Sequence, residues 1–238
     1  MLRVLGVVTA RGGSKGIPRK NLALLAGRPL LAYTAEAALA AARLARVVLS
    51  TDDEQIAEAG RQMGLDVPFL RPLELARDDT PTLPVLQDVV RRLETDGDRY
   101  DAICLLQPTN PLRQPSDIDR CIEVLESTNA DSVVTLLAVP DKYNPHWVYF
   151  PDANGDLHLS TGEATPIPRR QALPAAYHRE GSVYVTRRDV LMEKNSLFGS
   201  RLRGVELDAA NSINIDSPAD LERAEQILSR AQGAKCID

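Results

Sequence analysis

Val4-Leu5-Gly6-Val7-Val8-Thr9 runs directly into Ala10-Arg11-Gly12-Gly13-Ser14-Lys15-Gly16-Ile17-Pro18-Arg19-Lys20-Asn21. The first stretch is a short apolar run that stops at a glycine-rich segment, the pattern of a buried strand. The second carries Arg11, Lys15, Arg19 and Lys20 among its glycines. Glycine lets a ligand approach the backbone closely and leaves N–H groups open to anions. In open α/β sheets, ligands bind beyond the carboxyl ends of strands. A basic, glycine-rich loop in that place has the two features a polyphosphate needs. Two familiar phosphate loops are excluded, because neither G-x-x-x-x-G-K-[ST] nor G-x-G-x-x-G occurs here.

Outward from this stretch, strands and helices alternate. Leu30 to Ala45 is alanine-rich and reads as a helix. Val47 to Ser50 reads as a strand, and Asp52 with Gln55 fits a capping box that opens a helix to about Met63. Val67 to Leu70 is expected to be a third strand. Val85, Val89 and Leu93 repeat at helical spacing, and Ala102 to Leu106 is a continuous apolar strand. Ile118, Cys121, Ile122 and Leu125 give one buried helix face, and Ser132 to Ala138 follows as a strand. Such alternation implies βαβ units and a mostly parallel sheet with helices on both faces. The pattern breaks at Pro140. From there to Glu180 the chain carries many prolines, the one tryptophan and all three histidines. It is expected to form a small strand-rich excursion from one domain spanning residues 1–238. Ser182 to Thr186 re-enters as a strand, Arg188 to Lys194 is a short helix, and Leu202 to Leu207 is a strand. Ser217 caps the last helix, with Pro218 at its first position.

Composition narrows the function classes. The chain has 238 residues, 44% of them apolar, enough to build a sizeable core. A formal charge of -5 argues against general nucleic-acid binding, which needs a basic surface. Cys104, Cys121 and Cys236 lie far apart without metal-ligand spacing, and read as free thiols in a reducing compartment. The N-terminal apolar run is too short for a signal peptide, and no stretch approaches a membrane span. A cytoplasmic protein with no membrane partner is expected. His146, His158 and His178 are scattered, and read as surface or packing residues.

The segment Ala10 to Asn21 resembles the signature of the acylneuraminate cytidylyltransferases, enzymes that make CMP-sialic acid and its bacterial relatives. Further matches follow in order: Ser50-Thr51-Asp52-Asp53, Leu70-Arg71-Pro72, Leu105-Leu106-Gln107-Pro108-Thr109-Asn110-Pro111-Leu112-Arg113, Gly181-Ser182-Val183-Tyr184 and Asn214-Ile215-Asp216. The resemblance covers nearly the whole chain. It implies a Rossmann-like nucleotide-diphospho-sugar transferase fold with a small dimerisation lobe at 140–180. The implied reaction is attack of a nine-carbon sugar acid's anomeric hydroxyl on the α-phosphorus of CTP, with release of pyrophosphate. The enzymes for eight-carbon 3-deoxy-octulosonate carry a different first loop, with Arg-Leu-Pro-Gly-Lys there, and stand second. A non-catalytic sugar-nucleotide-binding homologue is the remaining alternative.

Roles carried over by position come from this resemblance. Arg11 and Lys20 would hold the triphosphate, with Gly12, Gly13, Ser14 and Lys15 around it. Asn21 would bind the nucleotide or sit beside the reacting centre. Arg71 would lie near the cytosine, with Thr80 and Thr82 as further nucleotide contacts. Gln107, Thr109 and Asn110 would line the sugar pocket, together with Tyr184 and Phe198. Arg170 and Gln171 match the family's arginine-bearing segment, which reaches toward the partner's site in a homodimer. A planar guanidinium suits the sugar's carboxylate. Asp216 and Asn214, two apart in an extended segment, would face one Mg2+. Arg11, Lys20 and Asp216 are the candidate catalytic residues. Three positions depart from the family pattern: Asn214 replaces a common aspartate, Glu180 a common asparagine, and Trp147 a lysine found in some sialic acid enzymes. The last two imply a sugar other than N-acetylneuraminate, legionaminate-like or deaminated.

Overall fold

The computed structural model describes residues 1–235, so Cys236 lies outside the described residues. In chain order the regular elements are β1 (Val4–Thr9), the two-residue β2 (Leu24–Leu25) and β3 (Arg28–Pro29), α1 (Leu30–Ala40), β4 (Leu44–Ser50), α2 (Glu54–Gln62), α3 (Thr82–Thr95), β5 (Ala102–Leu106), α4 (Pro115–Thr128), β6 (Ser132–Ala138), β7 (Tyr149–Pro151), β8 (Leu157–Leu159), β9 (Tyr177–Arg187), α5 (Arg188–Met192), β10 (Leu202–Glu206) and α6 (Pro218–Lys235). Six strands form one sheet in the order β10-β6-β9-β5-β1-β4. All neighbours are parallel except β9, which runs antiparallel to both β5 and β6. The mostly parallel α/β architecture expected from the alternation is therefore present.

Both sheet faces are covered. Leu31, Ala35 and Ala38 of α1, Ile56 of α2, and Ile118, Cys121, Ile122 and Leu125 of α4 pack on one side. Leu86, Val89, Val90 and Leu93 of α3 pack with Leu191 of α5 on the other. Strands buried on both faces need unbroken apolar runs, and β5 is buried at every residue. Burial pushes the Cys104 thiol up to about 12 and raises that of Cys121, so both stay protonated.

Four expectations are corrected. The first helix ends at Ala40, although the alanine-rich sequence continues without a breaker. The backbone N–H groups of Ala42 and Arg43 donate instead to the Asp119 carboxylate, and Leu44 pairs with Val4. Tertiary contacts override propensity here. The cap of α2 is Asp53, whose carboxylate accepts from the N–H groups of Gln55 and Ile56. Asp52 turns back and accepts from Gly12 N at 3.0 Å. Val67 to Leu70 is no strand, since pairing stops at a single bridge between Val48 and Asp66. Pro68 lacks the N–H that the next rung would need. The excursion from Pro140 contributes only the β7–β8 hairpin before β9 begins. Tyr143, Tyr149, Phe150, Leu157 and Tyr177 stand exposed on or beside it.

The α4 face, Ile118, Cys121, Ile122 and Leu125, is fully buried. Ile122→Ala should cost about 2–5 kcal/mol of unfolding free energy, the range for a truncated core aliphatic. Urea denaturation measures this, and a loss below about 1 kcal/mol would mean that the face tolerates the cavity.

Candidate active site

A cleft of about 410 Å³ opens at the carboxyl ends of β1 and β5. Its walls come from Thr9 to Asn21, from the segment Arg71 to Val85, from Gln107 to Thr109, and from Asp216. Arg11, Lys15, Lys20, Arg71 and Arg77 face it, against the carboxylates of Asp78 and Asp216. Five cations against two anions leave a positive cleft in a protein of net negative charge. Thr82 opens α3 and, with Val85, turns the positive end of that helix toward the cleft.

The first loop is held by backbone-directed contacts. Asn21 is buried and donates to Arg11 O at 2.9 Å, so its amide braces the loop. Lys20 donates to Ile215 O at 2.8 Å and to Asp216 Oδ1 at 3.1 Å. A Cβ on Gly16 would stand 2.2 Å from Asp216 O, whereas one on Gly13 would meet nothing within 4 Å. Gly16 thus permits a close approach of two backbones. Gly12 faces the Asp52–Asp53 turn rather than the cleft.

Asp78 binds two of the loop cations, Arg11 at 2.8 Å and Lys15 at 3.2 Å. Arg11 also donates to Arg77 O at 2.9 Å. Arg71 is buried and donates to Ser50 Oγ at 3.0 Å and Ser50 O at 2.6 Å. Burial pulls its guanidinium down to about 10, with Arg11 adding to the effect, so it remains charged at neutral pH.

A second cavity of about 410 Å³ shares Gln107 with the cleft. Its other walls are His178, Arg179, Glu180, Gly181, Tyr184 and Asn214. Tyr184 packs against Phe198 with ring centroids 6.4 Å apart, and the Arg179 guanidinium lies 5.3 Å from the Phe198 ring. Phe198 therefore supports this cavity from behind. Ile213 and Ile215 are buried while Asn214 and Asp216 are exposed, the alternation of an extended chain. The Asn214 amide donates to Asp216 Oδ2.

The cleft and its neighbouring cavity thus gather Arg11, Gly13, Ser14, Lys15, Lys20, Asn21, Arg71, Thr82, Gln107, Thr109, Tyr184, Asn214 and Asp216. Five expected residues stand elsewhere: Gly12 at the Asp52–Asp53 turn, Phe198 behind the second cavity, and Asn110, Arg170 and Gln171. Asn110 is buried, and its amide is spent on Glu180 and Thr109. Arg170 pairs with Asp141 on the excursion, and Gln171 is exposed beside it; neither lines the cleft or the second cavity. Trp147 likewise stays in the excursion, donating to Ile167 O at 2.7 Å. Sequence reasoning missed Asp78, which lies in a stretch without periodicity. It also read His178 as surface or packing, although it lines the second cavity. Arg113 was within a quoted motif but carried no role. Its buried guanidinium donates to Ser182 O, Thr34 Oγ1 and Gln107 O, across 69, 79 and 6 residues of sequence. Its place in the recognisable turn between β5 and α4 was the available signal.

A positive, glycine-lined cleft at the strand ends of an α/β sheet, with a second polar cavity beside it, is the kind of site a nucleotidyltransferase uses. The chain belongs to the cytidylyltransferase family, whose sequence profile matches residues 5–235. It is 33% identical to the CMP-N,N'-diacetyllegionaminic acid synthase of Legionella pneumophila, over 98% of this chain and 99% of that one. It is 30% identical to the pseudaminic acid cytidylyltransferase of Campylobacter jejuni, over 94% of this chain and 95% of the relative. Among solved structures, a CMP:2-keto-3-deoxy-manno-octonic acid synthetase complexed with CTP superposes with a TM-score of 0.73 at 21% identity, covering 96% of this chain and 99% of that one. That likeness extends the match to the whole fold.

Asp78 occupies the cations that a polyphosphate would take. Asp78→Asn should tighten pyrophosphate binding about two- to fivefold at low salt, the scale of an exposed ion pair. Calorimetric titration would show this, and unchanged affinity would remove Asp78 from competition with the ligand.

Proposed function

We propose that this protein transfers CMP from CTP to the anomeric hydroxyl of a nonulosonic 2-keto sugar acid, releasing pyrophosphate. The observation that carries the reading is that Gln107 lines two cavities at once, one cationic and glycine-lined, the other polar and aromatic. The activities named for the two relatives support the sugar class, because legionaminic and pseudaminic acids are both nonulosonic. The eight-carbon alternative has only the shared fold behind it.

In this reading the triphosphate displaces Asp78 from Arg11 and Lys15, and Lys20 neutralises charge on the departing pyrophosphate. Arg71 and the N-terminal turn of α3 flank the nucleotide. Gln107 and Tyr184 orient the sugar acid so that its hydroxyl lies in line with the leaving group, where positioning supplies much of the rate. Asp216 and Asn214 fit Mg2+ as one carboxylate and one amide oxygen, a sparse hard-oxygen set completed by phosphates and water. The amide oxygen would turn inward by a flip of Asn214. Magnesium bound there would help neutralise the phosphate charge.

A homodimer belongs to the same reading. Exposed aromatic and aliphatic side chains gather around the β7–β8 hairpin, and apolar surface of this kind supports an interface there. Such a dimer would carry Arg170 and Gln171 toward a neighbouring protomer's cavity, the one place from which Arg170 could meet a sugar carboxylate. Buried, reduced Cys104 and Cys121 and a CTP substrate fit a cytoplasmic enzyme.

Pyrophosphate release should be faster with CTP than with ATP, GTP or UTP. Lys20→Ala and Asp216→Asn should each lower turnover about a hundredfold or more. Near-normal turnover in both variants would reject the assignment of the reacting centre. Light scattering should give the mass of two 26.0 kDa chains. Arg170→Ala should weaken sugar-acid binding far more than CTP binding. A single-chain mass for the active enzyme would reject the shared site.

A further inference from the structure

Glu180 stands where the β6–β9 ladder is interrupted. Val134 pairs with Tyr184 and Leu136 with Arg179, so Glu180 to Val183 lie opposite Thr135 alone. Gly181 follows with φ +100, a conformation that glycine adopts without strain. This irregularity turns the Glu180 carboxylate inward, toward four donors from four parts of the chain. Oε1 accepts from Asn110 Nδ2 at 3.1 Å and from Ser212 Oγ at 2.7 Å. Oε2 accepts from Thr135 Oγ1 at 2.8 Å and from Ser182 N at 2.9 Å. With two donors on each oxygen, its acceptor capacity is filled. Burial raises its pKa, but these bonds outweigh burial and hold it below the ordinary range.

Two of those donors matter beyond packing. Asn110 belongs to the turn that presents Gln107 and Thr109. Ser212 begins the segment that ends in Asn214-Ile215-Asp216. The same two segments meet again where Ile215 N donates to Thr109 O at 2.8 Å, and Lys20 secures Ile215 and Asp216 from the first loop. Glu180 is therefore one carboxylate to which both walls of the shared space refer.

We infer that Glu180 is a positioning residue, setting the Gln107–Asn110 turn in register with the Asp216 segment so that sugar acid and nucleotide meet in line. The inference rests on the proposed substrate pair. Its chemistry also predicts a reversible partner swap. Asn110→Asp places a second carboxylate against Glu180 and forces the turn away. Adding Glu180→Gln restores one carboxylate and one amide, with donor and acceptor exchanged.

The test compares wild type, Asn110→Asp and the double variant Asn110→Asp/Glu180→Gln. The readouts are kcat for pyrophosphate release, CTP affinity measured without sugar acid, and thermal midpoint. The expected result for Asn110→Asp is a kcat loss of about a hundredfold, the scale of a misplaced reactant. CTP affinity should stay within about threefold and the midpoint within a few degrees, as a local register change leaves the nucleotide wall standing. The double variant should recover kcat to within about tenfold of wild type. An unchanged kcat in the single variant, or a double variant no better than the single, would overturn the inference. So would a parallel fall of CTP affinity and midpoint with kcat, the mark of a structural brace alone. A wild type that releases no pyrophosphate from CTP with any nonulosonic acid would reject the substrate reading, and this one with it.

Discussion

The site depends on how strand β9 is held in the middle of an otherwise parallel sheet. Its ladder with β5 stops at Leu106 and Val183. Beyond that point two carbonyls, Gln107 O and Ser182 O, would face each other without donors. The Arg113 guanidinium fills the gap, donating to both and to Thr34 of α1. A buried cation is costly unless its hydrogens are used. Burial pulls this one down to about 10, and the nearby negative charge of Glu180 favours its charged form. Gln107, the residue common to both cavities, is placed by this contact.

Much of the scaffold was legible because its physics is local. The boundary between β1 and the first loop is a change from apolar residues to glycines and cations. The α4 face is a four-residue periodicity, and Ile118, Cys121, Ile122 and Leu125 are all buried. What was not legible depends on partners distant in sequence. Nothing in Leu30 to Ala45 announces that Asp119 will pull the chain out of the helix after Ala40. Alternation marks Ser182 to Thr186 as a strand, but not its reversed direction or its central position. Pro68 alone warned against a strand at Val67 to Leu70.

The site divided in the same way. Motif residues in the first loop reach the cleft because the loop follows directly from β1. Asn110 and Arg113 sit in an equally recognisable motif, yet both turn inward as structural groups. Their partners, Glu180 and Ser182, lie about seventy residues away. Within the cleft the loop cations Arg11, Lys15 and Lys20 are partly neutralised by acids on the facing walls. Arg11 and Lys15 share Asp78, and Lys20 uses Asp216. Positive charge stored in this manner is exchanged on binding, so its net contribution is smaller than the number of cations suggests.

The contrast between Gly13 and Gly16 sets a rule for anyone redesigning this loop. At Gly13 a side chain would enter open space, so the position can be diversified to reshape the cleft wall. At Gly16 even one methyl group would collide with the Asp216 carbonyl, which is backbone and cannot rotate away. A combinatorial library that randomises the whole loop would spend most of its members on that single collision. Keeping Gly16 and varying Gly13 retains the close contact of the loop with the last segment, and leaves the chemistry of its outer rim free to evolve.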